Sequence, residues 1–544
     1  MSLRARAPAL VALRGKRRDR SHPPPISSFS PESDTGSPES DSSFPESNTG
    51  PRRATPVPGK RHRFPESDTG RGLVARLDTV DNDAFDDRYE LRRFTPGLTE
   101  DGTDVDARTT RYTASIAMGF HEPLEKPAVL LRHVTEWIEQ GEENLGVYRR
   151  HPQPGSVDEN EPVGTFVWFP KPLSWGDGTE LDTFAVSGVT VRATERRRGV
   201  LRRMMTESLD RAVEQGYAIA ALTASEGSIY RRFGFGSAIR ERVIEVTRQG
   251  ATPFLTPTSG EVVVVEPETL REGLAKDVYA RFHARTPGSM TRNVGAWTSL
   301  LGRTDEDEPD RAVRAAVHHP ADGGPVDGYV TYRIVDGETN SARLDVIDLV
   351  YATDEAYLSL WEYLLSVDLN RSVRYNRARI DDPIVLAVPE NRKVEIRHEE
   401  DHVWLRVLDP VRVLESRPFA ADGALTFTVA DALGFASGTY RLTVLEGRGR
   451  VERVGAGPVD GGAGAGVDGD LSPDVAGPSL DVADLSLDVA DLSLDVADLG
   501  AVLLGAVDPV SLVAAGLVHG DPAAVRLLRA MLAPERAPHG ISYF

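Results

Sequence analysis

The chain has 544 residues, 40% of them hydrophobic, which is enough apolar material for real cores and enough length for three or four domains of ~150 residues. It contains no cysteine, which excludes disulfides and thiolate metal sites, and its net charge of -20 at pH 7 argues against nucleic acid as a general partner. Almost all the positive charge is arginine, and the acidity fits a surface kept hydrated in concentrated salt, so salt adaptation is expected beside the plainer reading of acidic solubility.

Residues 1–84 read as a disordered, low-complexity tail. PESDTG begins at Pro31 and Pro65, PESNTG at Pro45 and a truncated PES at Pro38. Such repetition cannot bury enough apolar surface to offset chain entropy. The Arg-rich start is too interrupted for the apolar run of an export signal, and no stretch approaches the 18 apolar residues of a membrane span. A cytoplasmic location without a membrane partner is expected.

A first folded unit is expected over 85–250. YELRRFT, NLGVYRR and PVGTFVWFP are strand candidates, with a helical region around Trp137 between the first two. The stretch 184–236 is the most informative. FAVSGVTV is a β-rich run ending at Val191; a short arginine-rich turn follows, and then a helix whose apolar residues Leu201, Met205, Leu209 and Val213 recur every four positions up to Gly216. The helix N-terminus therefore falls over residues 196–199. Its first backbone N–H groups have no internal partners and carry about half a positive charge, which favours a diphosphate there, and Gly199 lets a phosphate approach. A second strand, YAIAALT, leads into SEGSIYRRFGFG. Taken alone, the arginines also suit a solvated helix start or an electrostatic patch, and Tyr230 also suits a core aromatic beside Phe233 and Phe235.

VTVRATERRRGVLRRMM followed by SEGSIYRRFGFG resembles the Eis-type (enhanced intracellular survival) branch of the GNAT N-acetyltransferases. The resemblance implies acetyl-CoA as co-substrate, with no metal. Val189, Thr190 and Val191 would present strand backbone to the pantetheine arm, and Arg197, Arg198, Gly199, Val200, Leu201 and Arg202 would embrace the pyrophosphate. Ser225 and Glu226 would complete the cofactor site. Tyr230 matches the family's general acid, and a phenol of pKa ~10 is suited to protonating a departing thiolate. In the resembled family the base is the C-terminal carboxylate, which here belongs to Phe544, at the end of HGISYF.

A second unit, 251–402, carries strand-like VVVVEP, YVTYRIV and LDVIDLVY, a helix in LAKDVYARFHAR, and a helix in DEAYLSLWEYLLSVDL with Ala356, Leu360 and Leu364 on one stripe and Asp354 as its N-cap. No Arg-x-x-Gly turn follows any of its strands. The resemblance makes this a GNAT-like fold that has lost cofactor binding. A third unit, 403–544, offers two strands around a Gly and Ser turn in TFTVADALGFASGTYRLTV, a Gly/Asp-rich insertion near 455–494 and copies of SLDVADL starting at Ser479, Ser486 and Ser493, a poor coiled-coil seam. It resembles the family's sterol-carrier-like α+β domain, read here as support rather than lipid carriage.

The expected architecture is thus mixed α+β: two tandem GNAT folds, then a sterol-carrier-like domain. The expected activity is acetyl transfer from acetyl-CoA to a primary amine, either of a small molecule of aminoglycoside or polyamine type or of a lysine side chain. The family implies a homohexamer. The alternatives are a non-catalytic acetyl-CoA-binding regulator and a lipid or sterol carrier. Leu504, His539 and Gly540 depart from the family pattern near the chain end, so the resemblance fixes no particular acceptor.

Overall fold

The computed structural model describes residues 82–248, 254–335, 342–455 and 490–544. Residues 1–81 of the tail expected over 1–84, most of the Gly/Asp-rich insertion, the first SLDVADL copy and most of the second lie outside the described residues; residues 82–84 of that expected tail fall instead in a short helix, Asn82–Asp86.

The first half opens with an antiparallel run of β1 (Tyr89–Phe94), β2 (Glu143–Arg149), β3 (Gly164–Ser174) and β4 (Glu180–Val191). Helices α1 (Ala107–Gly119) and α2 (Pro127–Glu139) separate β1 from β2; Asp106 caps α1 through the N–H of Thr109, and Pro127 opens α2. Helix α3 (Val200–Glu214) crosses from β4 to a parallel β5 (Ile219–Thr223), and β6 (Gly236–Thr247) closes the half. The buried face of α3 is Val200, Met204, Met205, Ser208, Leu209 and Ala212, whereas Leu201 is only half-buried and Val213 is 44% exposed. The expected stripe is corrected by helix geometry. A strict four-residue repeat gains about 40° per step, so Val213 has turned about 120° from Leu201.

The second half repeats the plan with β7 (Glu261–Val265), α4 (Ala275–Arg285), β8 (Val313–His319), β9 (Gly328–Val335), β10 (Arg343–Tyr351), α5 (Asp354–Ser366) and β11 (Ser372–Ala378), β10 and β11 being parallel. Strands β8 and β11 were not legible as strands. On α5 the stripe of Ala356, Leu360 and Leu364 is fully buried as expected. The cap is Thr353, whose Oγ1 accepts from the N–H of Ala356 at 3.1 Å; Asp354 is already the first helical residue.

A long β12 (Val394–Val407) inserts between β5 and β6, antiparallel to both, and fuses the halves into one 12-stranded sheet of order β1-β2-β3-β4-β5-β12-β6-β11-β10-β9-β8-β7. The boundary expected at 402/403 falls inside this strand. The third domain is a five-stranded sheet of β13 (Gly423–Ala430), β14 (Gly438–Leu445), β15 (Arg448–Gly455), β16 (Leu492–Asp495) and β17 (Val518–Gly520), ordered β15-β14-β13-β16-β17, with helices α6 (Val496–Val502) and α7 (Pro522–Leu532).

Helix α6 docks this domain on the large sheet with backbone touching backbone. A Cβ at Gly236 of β6 would stand 1.8 Å from the carbonyl oxygen of Ala497, and one at Gly500 would stand 2.4 Å from that of Leu405 in β12. One apolar core therefore runs from Phe169 and Ile239 in the first half to Leu499 and Leu504 in the third domain. Inside the third domain, Leu414, Phe427, Leu442, Leu503, Leu528 and Leu532 close around a space of about 10 Å³. That is room for one water, not for an acyl chain.

Candidate active site

The parallel pairing of β4 with β5 lasts for three residues, ending at Val186 opposite Leu222. Beyond that point β4 carries on alone to Val191, paired only with β3 on its other side, Thr190 opposite Thr165 and Val191 opposite Gly164. A bulge marks the parting. The register shifts between Thr165 and Val167, Gly188 takes φ 58°, and the Gly188 carbonyl accepts from the hydroxyl of Thr165 at 2.7 Å. Among the described strands, none covers the β5-side edge of β4 over Val189, Thr190 and Val191, and all three residues are half-buried.

The connection to α3 is pinned from below. Glu195 is fully buried and accepts from the Tyr89 hydroxyl at 2.5 Å and from Arg149, with Arg198 3.4 Å away. Burial pushes the Glu195 carboxyl up, but the hydrogen bonds from Tyr89 and Arg149 outweigh it and its pKa ends below the usual range. Above this anchor the backbone turns through left-handed φ at Arg197 (63°) and Gly199 (82°). Gly199 is the N-cap of α3 and offers no side chain to its free N–H groups. Val200 is buried against β3 so tightly that a Cβ at Gly164 would meet its Cγ1 at 2.7 Å. Arg197 and Arg198 are exposed, Leu201 and Arg202 half-buried.

Past Thr223 the chain exposes Ser225 and Glu226 and then buries Tyr230, 8% exposed, at the head of the short turn Arg231–Phe233. Burial, helped by the negative charge of Glu226, pushes the Tyr230 phenol up to about 12. The next residue fixes the turn: Arg231 Nη2 lies 2.9 Å from both carboxylate oxygens of Asp498, a residue 1% exposed on α6. Asp498 belongs to the third SLDVADL copy, whose Asp495 caps α6 through the N–H of Ala497.

Phe544 is 7% exposed, not frayed. Its main-chain oxygen accepts from the hydroxyl of Thr223, the last residue of β5, at 2.7 Å. Its ring packs edge-on to Phe169, with the ammonium of Lys171 5.2 Å from the ring centre. The residues before it are held as well. Ser542 donates to the carbonyl of Thr291 at 3.1 Å, Tyr543 donates to Glu241, and the His402 ring stands edge-on to Tyr543 at 4.4 Å. The backbone N–H of His539 donates to the carbonyl of Pro287, and its ring Nε2 lies 2.8 Å from the carbonyl of Arg377. Thr165, Thr223, Glu195 and Asp498 were not among the expected site residues. Only Glu195, an acid inside the arginine run, left a local trace.

Profiles of the acetyltransferase (GNAT) domain match residues 113–238 and 288–413, and that of the sterol carrier protein domain matches residues 410–540. An N-acetyltransferase of Streptomyces avermitilis is 35% identical over 305 residues, covering 53% of this chain and 71% of that protein. The N-acetyltransferase Eis of Mycobacterium tuberculosis is 30% identical over 301 residues, covering 54% of this chain and 72% of that one. In fold, the crystal structure of Eis1 from Mycobacterium abscessus superposes with a TM-score of 0.63 at 24% identity, over 84% of this chain and 100% of that chain. A GCN5-related N-acetyltransferase from Anabaena variabilis gives the same TM-score at 17% identity, with the same coverage.

Proposed function

The chain belongs to the Eis-type GNAT N-acetyltransferases, and from that premise we propose that it moves the acetyl group of acetyl-CoA to a primary amine of a small molecule or of a lysine side chain. The observation that carries this reading is the parting of β4 from β5 directly before a helix whose N-terminus has no side-chain cap.

An uncovered strand edge accepts an extended amide chain as one more strand, so the backbone of Val189, Thr190 and Val191 suits the pantetheine arm. The free N–H groups at Gly199, Val200 and Leu201 suit a pyrophosphate, with Arg197, Arg198 and Arg202 supplying charge and Ser225 and Glu226 closing the groove. Tyr230 would protonate the departing thiolate. At a pKa near 12 the phenol stays protonated through neutral pH. The same burial raises the proton affinity of a thiolate formed beside it, so the transfer is not blocked. An incoming ammonium, pKa ~10, must lose a proton, and the Phe544 carboxylate, steadied by Thr223, would take it. A cytoplasmic homo-oligomer, hexameric by family pattern, belongs to the same reading.

The reading is tested by screening primary amines for acetyl-CoA-dependent release of CoA; no release with any amine overturns it. Adding one residue after Phe544 tests the base. Turnover should fall with CoA affinity kept, whereas unchanged turnover rejects the carboxylate. Among the described residues, the space enclosed by Leu414, Phe427 and Leu528 is too small for an acyl chain, which gives lipid carriage no support there. A silent Tyr230→Phe change in a CoA-binding protein would favour the regulator.

A further inference from the structure

Among the described residues the lysines are Lys126, Lys171, Lys276 and Lys393, and of these only Lys171, on β3, is buried, at 2% exposed. Elsewhere the buried cations are arginines, as at Arg292, Arg406 and Arg417. An ammonium taken out of water needs acceptors and an opposite charge nearby. One acceptor is the Asn293 Oδ1, 2.5 Å from the Lys171 Nζ, but an amide is neutral. A tie between β3 and Asn293 alone would not need a charge.

The Lys171 ammonium lies over two rings that meet edge-on, 5.2 Å from the centre of the Phe544 ring and 5.6 Å from that of Phe169. A carboxyl carbon stands at most about 5 Å from the ring centre of its own phenylalanine, so the terminal carboxylate is within roughly 10 Å of the ammonium. At its other end the same residue is held by Thr223, whose hydroxyl donates to the main-chain oxygen at 2.7 Å. The other charged groups around the tail have partners of their own. Glu241 accepts from Tyr543 and stands 3.8 Å from His402, and Arg377 lies over the Tyr543 ring at 4.9 Å. His283 of α4 stands 3.1 Å from Glu180 and 3.0 Å from the Ser289 hydroxyl. Burial pushes the His283 pKa down, Glu180 opposes this, and the Lys171 charge pushes it further down, so that charge is felt by its neighbours.

We propose that Lys171 is a positioning residue for the chain terminus, holding the Phe544 ring in its seat and supplying the positive charge that keeps the adjoining carboxylate ionised. For turnover this role rests on the reading of that carboxylate as the base. For the placement and charge of the terminus it does not.

The test exposes the full chain to carboxypeptidase A at pH 7, which removes a terminal phenylalanine when the tail leaves its seat, and times the release of Phe544. Lys171→Met, apolar and of similar length, should speed release about tenfold or more, because a cation over a desolvated ring is worth that much. Phenylalanine labelled with 13C at the carboxyl carbon lets NMR follow the terminal carboxyl as pH falls from 7 to 3. Over roughly 10 Å at an effective dielectric constant of about 20, loss of the ammonium should raise that midpoint by about one pH unit or more. Asn293→Asp keeps the ammonium and sets a carboxylate beside it, so it should hold release near the wild-type rate yet raise the midpoint in the same way. It leaves no empty space, and it decides the charge if Lys171→Met does not fold. A lysine that merely ties β3 to Asn293 would change thermal stability and neither readout. Under the acetyl-transfer reading the acidic limb of turnover should follow the carboxyl midpoint. If one residue added after Phe544 left turnover unchanged, the base would be lost, while release and titration would still judge Lys171. Release at the wild-type rate from folded Lys171→Met, or a carboxyl midpoint unmoved in both variants, would each overturn the proposal.

Discussion

The two halves of the large sheet pose the same problem and solve it in opposite ways. In each, two parallel strands part after a few residues and a helix starts where the gap opens. In the first half the connection takes residues 192–199, uses two left-handed φ angles and delivers α3 with no side-chain cap. In the second, β10 ends at Tyr351 and α5 begins at Asp354, with Thr353 filling the cap. Two acids, Asp354 and Glu355, occupy the first turn of α5, and Asp354 is itself bound by Arg285 at 3.1 Å and Arg536 at 2.9 Å. Two residues past the last parallel pair, the first half has Gly188, which has no side chain. The second has Asp348, 1% exposed, bonded twice by Arg292 at 2.6 and 2.7 Å and also by the Tyr329 hydroxyl. The Arg292 guanidinium in turn lies over the rings of Tyr279 and Trp297. A helix N-terminus and a strand edge become a binding site only when the chain leaves their donors unspent. The second half spends its own.

The sharpest break between the halves should come from one side chain in each. Tyr230→Phe removes a hydroxyl and should lower kcat by about 10²–10⁴-fold with CoA affinity kept, the range for loss of a general acid. Arg292→Met, read by denaturant unfolding, should cost roughly 3–5 kcal/mol because Asp348 is left buried without its partner, while turnover per folded molecule stays near wild type. If Arg292→Met instead raised the KM for acetyl-CoA with stability unchanged, the second half would have a binding role that its filled gap denies.

What was legible in the sequence was local. The strand, arginine turn and helix over 184–216 were readable because a switch of hydrophobic period and a glycine mark the handover, and those signals lie in one continuous stretch of the chain. The phase of α3 was misread because a four-residue repeat was extended over three turns. Thr353 was overlooked because Asp354 beside it is as good a capping type. The remaining contacts of the site join distant parts of the chain: Arg231 with Asp498, Thr223 with Phe544, β12 between β5 and β6. No periodicity records such pairings. Asp498 is instructive, since the repeat SLDVADL drew notice for its spacing, yet its third copy matters through two aspartates that cap a helix and hold the turn beside Tyr230.

The tail that ends in Phe544 is shared between the halves, and acid should separate them. His539 is held against the second half with its Nε2 facing the Arg377 carbonyl, while its Nδ1 has no partner among the described residues. Burial pushes its pKa down to about 4, and the Arg377 carbonyl only partly opposes this. A folded pKa below the unfolded ~6.5 means that the contribution is fully present above pH 6.5 and is lost as pH falls toward 4, by roughly 3 kcal/mol at most. Thermal unfolding between pH 7 and 4.5 should therefore fall more steeply in wild type than in His539→Gln, which keeps a donor but does not titrate. Parallel curves would remove His539 as the acid-sensitive tie.

The smallest effects make the finest comparison, because they change the two helix starts by one group each. Thr353→Ala deletes the hydroxyl that caps α5 and should cost about 1 kcal/mol, seen as a lower Tm with the KM for acetyl-CoA unmoved. Gly199→Ala places a Cβ at φ 82° and should cost a similar amount, about 1–2 kcal/mol, from backbone strain. Its signature should lie elsewhere. The first turn of α3 is the proposed pyrophosphate seat, so the same substitution should also raise the KM for acetyl-CoA and weaken CoA binding. Two variants of matched stability cost, one silent toward the cofactor and one not, would show that the halves differ in what their helix starts are free to bind and not in how firmly they are built. If both were silent, the pyrophosphate would have to sit elsewhere on the arginine turn. If both weakened CoA, the loss would trace to general loosening of the shared sheet.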